Sequence, residues 1–197
     1  MTDRKRYELS HREYIVLGLV SEEPSHAYEL NKKIEDRGMR DWTNIGASTI
    51  YNDLNTLDDN GLVESYTEEV DNRIRRVYKI TPDGSDLLKA KTYNVLKEYY
   101  GKNDENFYVA FSMLPLLSQK EQIEVFSHSI EKIKEHIKNM EQMLEQSSHF
   151  PMNVTGLFIH PIKVLCADLE FLEWALEEVK KGRGVIGLQD YMKNKNG

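Results

Sequence analysis

The 197 residues predict a mainly α-helical protein with one small β-hairpin, an expectation that rests on three observations. Apolar residues recur at helical spacing along most of the chain. Two short runs between residues 62 and 81 alternate sides at strand spacing. Residues 82–181 read as helix throughout, with no strand pattern.

The first helix is announced by Ser10 and Glu13, a capping box in which hydroxyl and carboxylate satisfy free backbone N–H groups, followed by a stripe of Tyr14, Leu17 and Val20. It is expected to end near Ser21. Pro24 breaks the chain and Ser25 is placed to cap a second helix, with Tyr28, Leu30 and Ile34 on its inner side and Gly38 as its stop. A third helix is predicted from Ala47 to Asn60, with Ile50, Leu54 and Leu57 facing inward and Gly61 ending it. Strands follow at Leu62 to Thr67 and Ile74 to Thr81, joined through Asp71 and Asn72, residue types that tolerate a left-handed turn. In the second strand Ile74, Arg76, Tyr78 and Ile80 share one face, and Arg73, Arg75, Val77 and Lys79 the other. Three short helices and a hairpin in this order make a winged helix-turn-helix.

Thr81-Pro82 opens a further helix to about Tyr100, since proline at the first helical position gives up no needed donor. A shorter helix is expected around Asp104 to Leu114. After the capping box Ser118 and Glu121, apolar residues fall at Ile123, Phe126, Ile130, Ile133, Ile137, Met140 and Leu144. Beyond Pro151 they recur at Phe158, Ile162, Leu165, Leu169, Leu172, Leu176 and Val179, again in alternating steps of three and four. Each segment is an amphipathic helix with a coiled-coil-like seam. Such a seam fits an antiparallel hairpin within one chain or an interface between two. Leu157, Val164, Phe171 and Trp174 widen the second helix beyond one partner and favour a homodimer, with Phe158, Ile162, Leu165, Leu169, Leu172 and Leu176 as its contacts. The expected organisation is a winged helix over 1–85 and a C-terminal antiparallel helical dimerisation domain over 86–197.

Composition narrows the function. No window approaches the roughly 18 uninterrupted apolar residues of a membrane span, and MTDRKRYELS lacks the apolar core of a secretory signal. A cytoplasmic location with no membrane partner is therefore expected. One cysteine, Cys166, cannot form an internal disulfide, and within a helical apolar stretch it reads as packing. The formal net charge of −7, with −5 over residues 1–85, excludes a polycation that coats nucleic acid, so a DNA-binding role must rest on placement. The histidines at 11, 26, 128, 136, 149 and 160 form no HExxH and no Cys–His zinc spacing. GxSxG and GxxxxGK[ST] are also missing, so no cofactor, metal or enzymatic role is expected.

In a helix-turn-helix the second helix of the motif enters the major groove. The outer face of 47–60 offers Ser48, Thr49, Tyr51, Asn52, Asn55 and Thr56. Asn can donate and accept at the edge of adenine, and hydroxyls near a helix N-terminus can bind phosphate; the same face also fits a merely solvated surface. Arg73, Arg75 and Arg76 at the hairpin suit phosphates or a narrow minor groove, or else pairing with Glu68, Glu69 and Asp71. Arg76, sharing a face with Tyr78 and Ile80, suits a structural part best.

HAYEL at His26–Leu30, STIYNDLNTLDDNGLVE at Ser48–Glu64 and RRVYKITPDGSDLL at Arg75–Leu88 resemble, in order and separation, the phenolic-acid-responsive PadR family of bacterial transcriptional regulators. The resemblance is motif-level over residues 10–90 and looser to residue 181. It implies a homodimeric repressor or activator whose C-terminal helices pair and place two winged helices on a palindromic operator. It also implies that Tyr51 meets the DNA backbone, with Ser48 and the wing arginines beside it. Members often carry Lys or Arg just before the second Leu of the recognition helix; Asn55-Thr56 here implies weaker phosphate contact there and more reliance on the wing. For many members the resemblance implies release by a small aromatic or lipophilic effector, with Trp174, Phe171 and His160 as available walls. A winged-helix protein-interaction module without DNA binding remains the alternative.

Overall fold

The computed structural model describes residues 7–43, 45–46, 49–70, 73–101, 104–147 and 149–187. Helix α1 (His11–Glu22) starts on the expected capping box: Ser10 N donates to Glu13 Oε2 at 2.8 Å, and Glu13 N to Ser10 Oγ at 3.3 Å. Its residues from Glu13 to Val20 are all buried, so it is the central rod of its unit rather than a half-exposed helix. Strand β1 (Ser25–His26) and helix α2 (Ala27–Asp36) follow. Ser25 does not cap α2. It pairs with Tyr78 in the sheet and its hydroxyl donates to Glu23 O, while His26 holds the N-cap position. Tyr28 is also not on the inner side: it is 68% exposed, and Ala27, Leu30 and Ile34 are the buried residues of α2.

Helix α3 (Ile50–Asp59) leads through Gly61, at φ +70°, into β2 (Val63–Val70) and β3 (Arg73–Ile80). The sheet has three antiparallel strands in the order β1-β3-β2, one more than the sequence announces, because a two-residue strand has no periodicity to read. The hairpin runs in register from Val63 opposite Ile80 to Val70 opposite Arg73. Its expected turn residues, Asp71 and Asn72, lie outside the described residues. Leu30 and Ile34 of α2, Ile50, Leu54 and Leu57 of α3, and Val63, Val77 and Tyr78 of the sheet close the core around α1.

Helix α4 (Pro82–Glu98) begins against the hairpin, where Gly84 N donates to Thr81 Oγ1 and a Cβ on Gly84 would lie 2.0 Å from the Leu62 carbonyl oxygen. The chain divides into two compact units, Met1–Lys91 and Thr92–Gly197.

The second unit contains the end of α4, α5 (Glu105–Ser112), α6 (Gln119–Gln146) and α7 (Met152–Lys180). Helix α6 starts on its predicted capping box, Ser118 with Glu121. Helices α6 and α7 pack antiparallel within the single chain: Gln119 near the start of α6 donates to Val179 O near the end of α7, and Lys134 pairs with Glu173 midway. Phe126, Ile130, Ile133 and Ile137 of the α6 seam are buried, whereas Ile123, Met140 and Leu144 are only half-buried. Phe171 joins α7 to α5 and α6 through ring contacts with Phe107 and Phe111, the latter also meeting Phe126. Buried Gln122 donates to the carbonyls of Leu114, Leu117 and Gly184, tying the loop before α6 to the turn after α7. No helix among the described residues is long and apolar enough to cross a membrane.

Gly84→Ala is expected to lower stability by about 1–3 kcal/mol, because the new methyl meets backbone that must shift. Gly156→Ala, inside α7 with no atom within 4 Å of the new Cβ, should be neutral or stabilising by about 0.5–1 kcal/mol. Urea unfolding followed by circular dichroism separates the two.

Candidate nucleic-acid interface

The outward face of α3 is fixed by what its inner face buries. Ile50, Leu54 and Leu57 are at most 1% exposed, which turns Tyr51, Asn52 and Asn55 to solvent; Tyr51 is 59% exposed. Thr49 and Thr56 lie at the rim, half-buried, and their hydroxyls donate to Gly46 O at 2.8 Å and Asn52 O at 2.9 Å. Four of the expected α3 reader residues, Thr49, Tyr51, Asn52 and Asn55, thus share one surface. Ser48 lies outside the described residues.

The three wing arginines have different positions. Arg76 reaches α3: Nη2 donates to Asp58 Oδ2 at 2.6 Å, Nε to Ser65 Oγ at 3.0 Å and Nη1 to Asn55 Oδ1 at 3.4 Å. Ser65 also donates to Asp58 Oδ2, and the guanidinium lies 5.2 Å from the centre of the Tyr78 ring. Arg76 therefore binds the hairpin to α3. Its carboxylate comes from α3 rather than from Glu68, Glu69 or Asp71, which the hairpin alone puts forward. Asp58 escapes a reading of separate elements, although it stands three residues beyond Asn55, one turn along the same helix.

Arg75 points to the other side of the sheet, toward α2, with Nη1 3.3 Å from His26 Nε2. Arg73 lies in β3 opposite Val70, and its side chain is outside the described part of the chain. Ile74, which shares a face with Tyr78 in the strand pattern, is 80% exposed because it lies near the hairpin tip, beyond the core.

Behind α3 lies an acidic cluster. Tyr7 donates to Glu13 Oε1 at 2.7 Å, and Arg12 stands 3.5 Å from Asp53. Burial, the bond to Glu13 and the nearby carboxylate charges push the Tyr7 hydroxyl up to about 12. For Glu13, burial acts upward, but hydrogen bonds from Tyr7 and Ser10 outweigh it and hold the carboxyl below its ordinary range. Asp53 goes the other way. Burial raises it more than Arg12 lowers it, Glu13 adds like-charge repulsion, and its Oδ2 has no hydrogen-bond partner.

In the second unit, Leu165 and Leu172 are buried within the single chain, so neither is available to a second copy; α6 and α7 use part of the seam on each other. Phe158, Ile162, Leu169 and Leu176 are half-buried, while Leu157, Val164 and Trp174 are 70%, 41% and 55% exposed. Cys166 is exposed rather than packed, because the apolar run in which it sits is wider than the side of α7 that the chain covers. A cavity of about 280 Å³ opens between the end of α5, the C-terminal half of α7 and the turn after it, lined by Phe111, Leu114, Trp174, Val179 and Ile186 with the Glu178–Arg183 pair at 2.5 Å. Of the three expected effector walls, Trp174 lines it, Phe171 is committed to the aromatic cluster, and His160 lies on the exposed side of α7. No group of three or more metal-ligating side chains occurs among the described residues.

Asp53→Asn should raise the urea midpoint at pH 7. The folded-state carboxyl sits above its unfolded value, so the ionised form costs stability at neutral pH, and that cost disappears as pH falls through the folded value toward the unfolded one. The advantage of Asp53→Asn should therefore shrink between pH 7 and pH 4; an advantage that grows on acidification would contradict this assignment.

No curated protein matches the chain. Among solved structures, the chain is similar to the smu.1704 protein of Streptococcus mutans at 30% identity, covering 44% of this chain and 79% of that one, with a TM-score of 0.36. It is similar to Bacillus subtilis PadR in complex with operator DNA at 16% identity, covering 88% and 99%, with a TM-score of 0.41. A PadR-like transcriptional regulator of Bacillus cereus gives 19% identity, 88% and 99% coverage and a TM-score of 0.37. Residues 16–90, from α1 through the three-stranded sheet into α4, match the model of the transcriptional regulator PadR-like family.

Proposed function

We propose that the protein is a cytoplasmic, homodimeric repressor that binds a palindromic operator through the outward face of α3 and the wing. The observation that carries the reading is the shared surface of Thr49, Tyr51, Asn52 and Asn55, with the hairpin fastened to the same helix by Arg76. Tyr51 is suited to a phosphate from the exposed side of the recognition helix, and Ser48, Arg73 and Arg75 complete the proposed contact set. Arg76 serves chiefly to hold the wing, with its half-exposed guanidinium edge available beside Asn55.

Homodimerisation is supported by the apolar surface that α7 leaves uncovered. Leu157, Val164 and Trp174 are exposed, and Phe158, Ile162, Leu169 and Leu176 are only partly covered by their own chain. Leu165 and Leu172 are left out of this interface. A small aromatic or lipophilic effector would have the cavity beside Trp174 as its place, and a screen of aromatic acids for DNA release is its test.

Gel retardation should be measured on a duplex carrying the sequence upstream of the protein's own coding region and on a mixed-sequence duplex at low salt. Binding is expected to fall with salt, and Arg75→Ala should reduce the log–log slope by about 1 while leaving dimer mass unchanged. Retardation that ignores salt, or none on either duplex, would contradict the reading and favour a protein-interaction role, for which the net charge of −5 over residues 1–85 speaks. In a separate measurement, Leu157→Glu combined with Val164→Glu should convert a particle of twice 23.0 kDa into one of 23.0 kDa by light scattering. An unchanged dimer mass would place the interface elsewhere.

A further inference from the structure

The DNA-binding reading names Arg75 but leaves His26 without a part. His26 occupies the N-cap position of α2, the first helix of the helix-turn-helix pair, which in this motif crosses the DNA backbone. It is also the last residue of β1, where it pairs with Val77, so Arg75, two residues along β3, is its diagonal neighbour on the same face of the sheet. The imidazole is mostly buried, with 15% of its side chain exposed, and it lies between two charged groups. Its Nδ1 contacts the Glu29 carboxylate, which also accepts from the His26 backbone N–H at 3.2 Å, and its Nε2 lies 3.3 Å from Arg75 Nη1.

These partners determine the ring's proton. A carboxylate only accepts, so Nδ1 carries the hydrogen; a guanidinium only donates, so Nε2 presents a lone pair. The chain Glu29, His26, Arg75 thus runs acceptor, relay, donor with no atom in conflict. A neutral acceptor at this position holds a guanidinium in place without cancelling its charge. A carboxylate there would hold it equally well and neutralise it. Among the described residues His26 is the side-chain partner of Arg75, whose remaining N–H groups are left for another acceptor.

We propose that His26 is a positioning residue that fixes the charged Arg75 guanidinium at the start of α2, where that helix crosses the phosphate backbone. The inference rests on the DNA-binding reading above, and its test separates the two. Labelled duplexes, upstream and mixed-sequence, are titrated with the full-length protein, its His26→Ala, His26→Gln and His26→Glu variants, Arg75→Ala, and the His26→Ala/Arg75→Ala double variant, all at a temperature well below the lowest melting point in the set.

His26→Ala should weaken binding by about threefold to tenfold, the range of one ordinary hydrogen bond. His26→Gln, whose amide oxygen reaches the place of Nε2, should stay within about twofold of the unaltered protein, and in the Arg75→Ala background His26→Ala should add less than about twofold. His26→Glu should weaken binding and lower the salt slope as Arg75→Ala does. A His26→Ala variant that binds normally, an equal loss with and without Arg75, or a His26→Gln variant no better than His26→Ala would each overturn the inference. Retardation that is intact in Arg75→Ala overturns it as well, while leaving DNA binding standing. Failure of the unaltered protein to retard either duplex refutes the DNA-binding reading itself.

Discussion

The rotational setting of α3 is the constraint on which the candidate surface depends. Ile50, Leu54 and Leu57 fall at three- and four-residue steps and are removed from water almost completely, so turning the helix by one residue would expose at least one of them. A fully buried leucine or isoleucine is worth about 1.5–3 kcal/mol relative to an exposed one. That is more than an exposed polar side chain gains from any one orientation, so the apolar side decides and the polar side follows. Arg76 then sets the second coordinate. By gripping Asp58 and Ser65 while lying over Tyr78, it ties the hairpin to the helix at one point and leaves the strands beyond Ser65 to reach into solvent.

Much of this was legible in the sequence because it rests on local rules. The two capping boxes, the inward residues of α3 and the period-two hairpin are each written within a short stretch of the chain, and each appears where the pattern puts it. The misreadings share a cause: Ser25 looks like a cap until β3 supplies Tyr78 as a strand partner, and Tyr28 looks internal until α1 and α3 use Leu30 and Ile34 instead. Asp58 and His26 escaped for the same reason, since their partners stand 18 and 49 residues away, and charge or ring chemistry carries no periodicity that marks a partner. Residue types show what a side chain can bind, not what folding brings within reach.

The second unit shows where a heptad seam is ambiguous. Alternating three- and four-residue steps describe a stripe that wants a facing helix, but a stripe does not state which chain supplies it. Within α7 the answer is divided: Leu165 and Leu172 face inward, while Leu157, Val164 and Trp174 keep their surface. A helix of 29 residues with residues of both kinds is wider in its apolar character than one antiparallel neighbour can cover.

The hydrogen bonds around α3 also give its outer face a fixed polarity. Thr49 and Thr56 have already committed their hydroxyl protons to Gly46 O and Asn52 O, so toward any visitor they present lone pairs. Asn55 is the reverse: Arg76 and Tyr78 occupy its oxygen, and only the NH₂ group remains to be offered. A partner that needs an amide oxygen and an amide hydrogen together, as the edge of adenine does, is therefore closed to Asn55 for as long as the hairpin stays latched, whereas an edge rich in acceptors is not. Asn52, exposed one turn earlier, keeps both ends of its amide outside that latch.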